Sequence, residues 1–163
     1  MRNILLLILI FVTPLLSAQE EKVTKSKLFS LFKKSILQNS PNSIDTYSHP
    51  WRINNEDGIY YKSDTIKLVN FISKSYRWSY CESVNWTFTE KKKFVLTRSH
   101  LCQEPPTRDV TTKKDWYDIK IIRFDNNLYI ELYNLNELIE RFKVLDIKRI
   151  ENKIIVTLKR HIN

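Results

Sequence analysis

From Thr65 onward, apolar and polar residues alternate with a period of two, which restricts this part of the chain to pleated strands with one buried face. Trp86 and Phe88 fall on one side of their run, Thr87 and Thr89 on the other. Ile119 and Ile121 oppose Asp118 and Lys120. Leu128, Ile130 and Leu132 oppose Tyr129, Glu131 and Tyr133, and Ile154, Val156 and Leu158 oppose Ile155, Thr157 and Lys159. The spacing predicts strands at 65–72, 75–81, 84–90, 93–99, 115–123, 127–133, 139–147 and 153–160. Most links between them are short, which favours antiparallel neighbours over parallel crossovers. Eight such runs predict a mainly β protein, an eight-stranded antiparallel up-and-down barrel. Asn134 to Arg149 also fits a helix through Leu135, Leu138, Ile139 and Phe142. Strand is preferred from Phe142 onward, where Phe142-Lys143-Val144 alternates, and residues 134–141 stand between the two readings.

Upstream the pattern differs. Met1-Arg2-Asn3, the apolar run Ile4–Val12, the break at Thr13-Pro14 and the small residue Ala18 form the three parts of a secretory signal. The run is too short to span a bilayer comfortably, which takes about 20 residues. Export to a periplasmic or extracellular site is expected, with cleavage after Ala18. An amphipathic helix is expected over Lys27–Leu37, from Leu28, Leu31, Phe32 and Ile36 at helical spacing, with Ser26 as its cap. Residues 38–49 read as a linker, and Pro50-Trp51-Arg52 and Ile59-Tyr60-Tyr61 as irregular wall or short strand. The chain therefore divides into a signal (1–18), a helix with linker (19–48) and one barrel domain (49–163).

Gly58 is the only glycine, which removes the phosphate-binding loop, the dinucleotide fingerprint and the nucleophile elbow. Turns fall to residues that tolerate left-handed backbone, with Asn126-Asn127 and Glu151-Asn152 as candidates. The formal charge of +9 is spread over small clusters such as Lys91-Lys92-Lys93, Lys113-Lys114 and Lys148-Arg149. That pattern reads as solvated surface, with attraction to an anionic surface as a further consequence. Nucleic-acid binding is not expected without a basic stripe interleaved with stacking aromatics. His49, His100 and His161 have no metal-ligand spacing, so no metal or other cofactor is expected. Asp115 and Asp118, three apart on a strand, point to opposite faces and do not converge for acid–base work. Ser83 and Ser99 lack a nucleophile context, and no enzyme activity is expected. Asn85-Trp86-Thr87 fits a glycosylation pattern, but Asn85 reads as an ordinary polar residue before a strand.

Cys81 and Cys102 are the only cysteines, and in an exported chain they predict a disulfide across one hairpin. A turn near Lys91-Lys92 pairs residues whose numbers sum to about 183, and these two cysteines meet that sum. Cross-strand Cα atoms lie about 4.5–5.5 Å apart, within disulfide reach.

The run Cys81-x4-Trp86-Thr87-Phe88, a charged turn, Phe94, Cys102, a loop and then Trp116 resembles the lipocalin-like domains of small secreted bacterial proteins, notably those of the Bacteroidetes. The likeness covers roughly residues 65–160. Lys114-Asp115-Trp116 stands where such domains often carry Gly before the Trp, and the turn Glu90–Lys93 lacks their usual Asp-Gly. The resemblance implies a barrel with a central cavity that binds a small apolar molecule. The inward candidates for that role are Trp78, Trp86, Phe88, Tyr117, Ile119, Ile121, Leu128, Ile130, Phe142, Val144, Ile154 and Val156. The alternative is a barrel filled by these same side chains, with its outer surface or loops binding an envelope protein or an anionic surface.

Overall fold

The computed structural model describes residues 23–36, 49–72, 79–102, 104–108 and 111–161. The signal segment, most of the linker and Trp78 lie outside the described residues. The chain forms a closed eight-stranded antiparallel up-and-down barrel with one preceding helix. Helix α1 spans Lys25–Lys34, followed by strand β1 (Trp51–Asn54), a 3-10 turn (Glu56–Gly58), a single helical turn α2 (Ile59–Lys62) and β2 (Thr65–Phe71). Then come β3 (Glu82–Glu90), β4 (Lys93–His100), the short β5 (Thr107–Arg108) and a second 3-10 turn (Lys113–Asp115). The last four strands are β6 (Trp116–Phe124), β7 (Asn127–Asn134), β8 (Glu137–Ile150) and β9 (Lys153–Arg160).

Around the ring the order is β1-β2-β9-β8-β7-β6-β4-β3, and β3 pairs back to β1 to close it; β5 is a flap on β4. Strands β6 to β9 are successive hairpins, as expected. The eighth strand differs from expectation. Residues 79–81 are not in a strand, and the ring is completed by β1. Trp51 sits opposite Trp86 on one side, and Arg52 opposite Val69 on the other. Strands β2 and β3 are thus parallel to each other with β1 between them. Residues 75–78 of the strand expected at 75–81 lie outside the described residues.

Tight turns are made without glycine. Asp125 and Asn126 have φ of 45° and 62°, and Leu135 and Asn136 have φ of 48° and 70°. These two-residue turns with positive φ match the twist of the flanking strands. The first turn is therefore Asp125-Asn126, one residue earlier than Asn126-Asn127, because Phe124 already pairs with Asn127. Glu151, at φ 48°, serves the β8–β9 turn. Residues 137–150 are strand throughout, which decides against a helix there; the inward side chains Phe142 and Val144 need barrel partners on both sides. Gly58 sits at φ 72°, where a side chain would be strained.

The interior is filled from one end. Helix α1 begins two residues before the expected start, because the Thr24 hydroxyl, and not Ser26, accepts from Lys27 N at 3.1 Å. Its Leu28 and Phe32 are fully buried. Phe32 stacks on Phe88 with ring centroids 4.4 Å apart and meets Trp51 edge-on at 5.3 Å. Trp86 stacks on Phe94 at 4.6 Å, and Phe94 on Tyr117 at 5.3 Å. Thus α1 plugs the end that carries the turns at 91–92, 125–126 and 151–152.

At the opposite end Cys81 and Cys102 form a disulfide with Cα atoms 5.0 Å apart. The register sum is 183 only at Glu90–Lys93. A bulge at Thr89 lowers it to 182 from Phe88–Phe94 onward, so Cys81 faces Leu101 and bonds one residue further along. Asn85 lies within β3, not before it. It is nearly buried, and its amide reaches Ser99 Oγ at 2.8 Å.

Candidate functional site

The end away from α1 is open. Its mouth is formed by α2, the inward residues at the ends of β4, β6, β8 and β9, and the residues just before β6. A cavity of about 750 Å³ lies there, lined by Tyr60, Tyr61, Leu96, Thr97, Arg98, Thr111, Asp115, Tyr117, Leu132, Ile139, Glu140 and Arg160. Depth along each strand sorts these side chains. The floor is apolar and aromatic, from Tyr60, Leu132 and Tyr117. Charge enters nearest water, with Arg98, Glu140 and Arg160 at the strand ends and Asp115 in the turn before β6.

Arg160 organises the floor. Its guanidinium pairs with Glu140, donates to the Tyr60 carbonyl and to the Ser63 carbonyl at 3.0 Å, and lies over the Tyr60 and Phe142 rings. This one side chain ties α2 to the β8–β9 wall and fixes how far α2 closes the mouth. Burial pushes the Tyr60 phenol up to about 12, with the Arg160 charge opposing it only in part. Burial also raises Tyr117, assisted by the charge of Asp115. Both phenols stay neutral at ordinary pH, and the half-buried Tyr117 offers its hydroxyl to the cavity without a charge.

The rim is apolar. Tyr61, Trp116, Leu138 and Ile139 are exposed, and Leu135, at the tip of the β7–β8 turn, is 75% exposed. The tip is clamped to the segment before β6, since the Asn134 amide donates to the carbonyls of Lys114 (2.9 Å) and Trp116 (2.8 Å). Leu135 and Trp116 are therefore held beside each other at the entrance.

Of the described inward residues named from sequence, only Tyr117 lines this cavity. Trp86, Phe88, Ile119, Ile121, Leu128, Ile130, Phe142, Val144 and Val156 are buried in one core cluster, and Ile154 packs against it. They point inward as expected, but they fill the barrel between α1 and the cavity floor. The sequence reading missed Tyr60, Arg98, Glu140 and Arg160. Arg98, Glu140 and Arg160 share inward parity with Phe94, Phe142 and Leu158, and that parity was the signal available.

Elsewhere the polar groups serve structure. Asp115 closes a capping box with Thr112, its carboxylate accepting from the Thr112 amide at 2.6 Å. His100 Nδ1 lies 3.6 Å from Glu82, and His161 packs edge-on against Tyr129. Among the described residues no three of His, Cys, Asp and Glu gather to hold a metal ion. No described helix is long and apolar enough to cross a membrane. No family model, curated protein or solved structure matches the chain.

Proposed function

We propose that this is an exported, non-catalytic lipocalin-like protein that holds a small amphipathic molecule in the mouth of its barrel. The observation that carries the reading is the 750 Å³ cavity, which falls within the roughly 300–1,000 Å³ typical of small-molecule sites. The apolar body of the ligand lies on Leu132 and Ile139, and its polar group meets Arg98 and the neutral Tyr117 phenol. The exposed apolar side chains at the rim support this, because Trp116 and Leu135, held beside each other, give a hydrophobic ligand an apolar point of entry. The disulfide supports export. The ligand sits above the inward residues expected from sequence to hold it, since Trp86, Phe88 and Phe142 fill the barrel below.

The test is saturable binding of an anionic fluorescent fatty-acid analogue to the purified protein. Binding in the micromolar range or tighter is expected, weakened at least about tenfold by Leu132→Trp, which fills the floor. A probe that fails to saturate, or that ignores Leu132→Trp in a folded protein, would overturn the reading. The aromatic-filled lower barrel favours a second reading, an envelope interaction protein without a small ligand. Specific capture of an envelope component by a probe-inert protein would favour that alternative.

A further inference from the structure

The positive charge, scattered in sequence, is gathered by the fold at one end. Exposed Lys33 and Lys34 of α1 and exposed Lys91 and Lys92 of the β3–β4 turn lie at the plugged end. Exposed Arg123 and Arg149, beside the next two turns, complete the circle. The acids nearby are Glu90, Asp125, Asp146 and Glu151. Glu90 pairs with Lys93 at 3.5 Å and Asp146 with Lys148 at 3.1 Å, so the exposed turn residues Asp125 and Glu151 offset only part of the charge of Lys33, Lys34, Lys91, Lys92, Arg123 and Arg149. At the mouth, Asp57, Asp64, Glu104 and Glu137 are exposed and balance Lys62, Lys113 and Lys114. The surplus therefore belongs to the plugged end.

That end also shows apolar side chains to water. Phe124, 63% exposed, precedes the β6–β7 turn, and exposed Ile150 precedes the β8–β9 turn. Exposed Ile72 sits at the same β8–β9 turn, its amide donating to the Asn152 carbonyl at 2.7 Å. Between α1 and the β3–β4 turn runs a shallow groove lined by Lys25, Phe29, Lys33 and Lys91.

We propose that the plugged end docks on an anionic lipid surface, with Phe124 and Ile150 entering the interface and the lysines over the headgroups. The arrangement selects a membrane over a polymer. The cations stand around a circular end and the apolar residues at separate turn tips, so they meet a plane together. A single-stranded polymer instead needs a track with aromatic faces for stacking. Apolar contact joined to lysine attraction is how peripheral proteins hold anionic bilayers, at about 1 kcal/mol per basic residue. Docked this way, the mouth faces away from the lipid.

The experiment is vesicle co-sedimentation of the whole chain and of a form beginning at Gln19, so that any contribution of Ile4–Val12 is read separately. Vesicles are phosphatidylcholine alone or with about a third phosphatidylglycerol. The Gln19 form is expected to bind the anionic vesicles at least about tenfold better than the neutral ones, and to lose most of that preference at ~0.5 M salt. Lys33→Glu/Lys92→Glu lowers anionic binding at least about tenfold. Lys113→Glu/Lys114→Glu, the same charge change at the mouth, alters it less than about twofold. Phe124→Ser reduces it several-fold. All these positions are exposed, and near-ultraviolet circular dichroism verifies that each variant is folded. Equal losses in the two double variants, no preference for anionic vesicles, or tighter binding to an oligonucleotide than to lipid would each overturn the proposal.

Discussion

Tyr60 lies beneath the mouth, where ionising its phenol would put a negative charge into an apolar floor. Its folded value of about 12 stands above the unfolded value of about 10. A raised acid adds stability that is whole below the unfolded value and disappears as pH climbs through the folded one. The unfolding free energy should therefore fall between about pH 10 and 12, by up to roughly 2–3 kcal/mol from this group. Denaturant melts of wild type and Tyr60→Phe across that window check it, and the variant should show the shallower decline. Leu135 presents the opposite case. A branched apolar side chain at φ 48° is strained, and at 75% exposure it gains little from burial. Leu135→Asn should raise stability by roughly 0.5–1 kcal/mol in thermal melts, since asparagine suits that turn. If the rim guides the ligand, the same variant binds the fatty-acid probe more weakly, so stability and binding move apart. The disulfide spans 21 positions, and the Cys81→Ser/Cys102→Ser protein should lose about 3 kcal/mol in urea melts.

Among the elements, α1 does the most with the least length. Ten residues supply Leu28 and Phe32 to the barrel interior, and Ser35 ends the helix with its hydroxyl donating to the Phe32 carbonyl at 2.7 Å. Phe32→Ala should cost about 3–5 kcal/mol and expose Phe88 and Trp51, read as lower stability with new hydrophobic-dye binding. On the outer wall, β7 and β8 bury a carboxylate. Glu131 is 5% exposed and accepts from Arg141 at 2.7 Å and from the Tyr133 hydroxyl at 2.9 Å. Removing one partner of a buried pair is costly, so Arg141→Leu should lose roughly 2 kcal/mol in urea melts, less than for a sealed pair because Arg141 meets water.

These elements also mark what the sequence discloses. Alternation placed seven of the strands and their inward faces, because each is long enough for a period of two to register. At Trp51–Asn54 it leaves irregular wall and short strand both open, because four residues are too few for a period of two to register and the pairing partners lie far along the chain. Bulges at Thr89 and Leu145 each add a residue that no local pattern marks, and the one at Thr89 shifts the hairpin sum by one at the cysteines. The cavity escaped for a related reason. Inwardness was read from apolar residues alone, yet at the mouth the same parity carries Arg98, Glu140 and Arg160. Depth along a strand separates core from site, and depth follows from which end α1 plugs.

For the whole molecule, the weakest joint of the ring is β1. Four residues hold β2 and β3 together, while β8 and β9 share eight paired positions. Amides of β1 should therefore exchange with solvent faster than those of the β8–β9 ladder, a contrast that deuterium labelling reads directly. When β1 lifts, two strand edges lose their partner at once, and each is a template for another chain. A barrel protects itself from self-association by having no edges, and here that protection rests on Trp51, Arg52, Ile53 and Asn54. Crowding, heat or truncation before Asp57 would turn a sealed ring into an open sheet able to exchange strands with its neighbours.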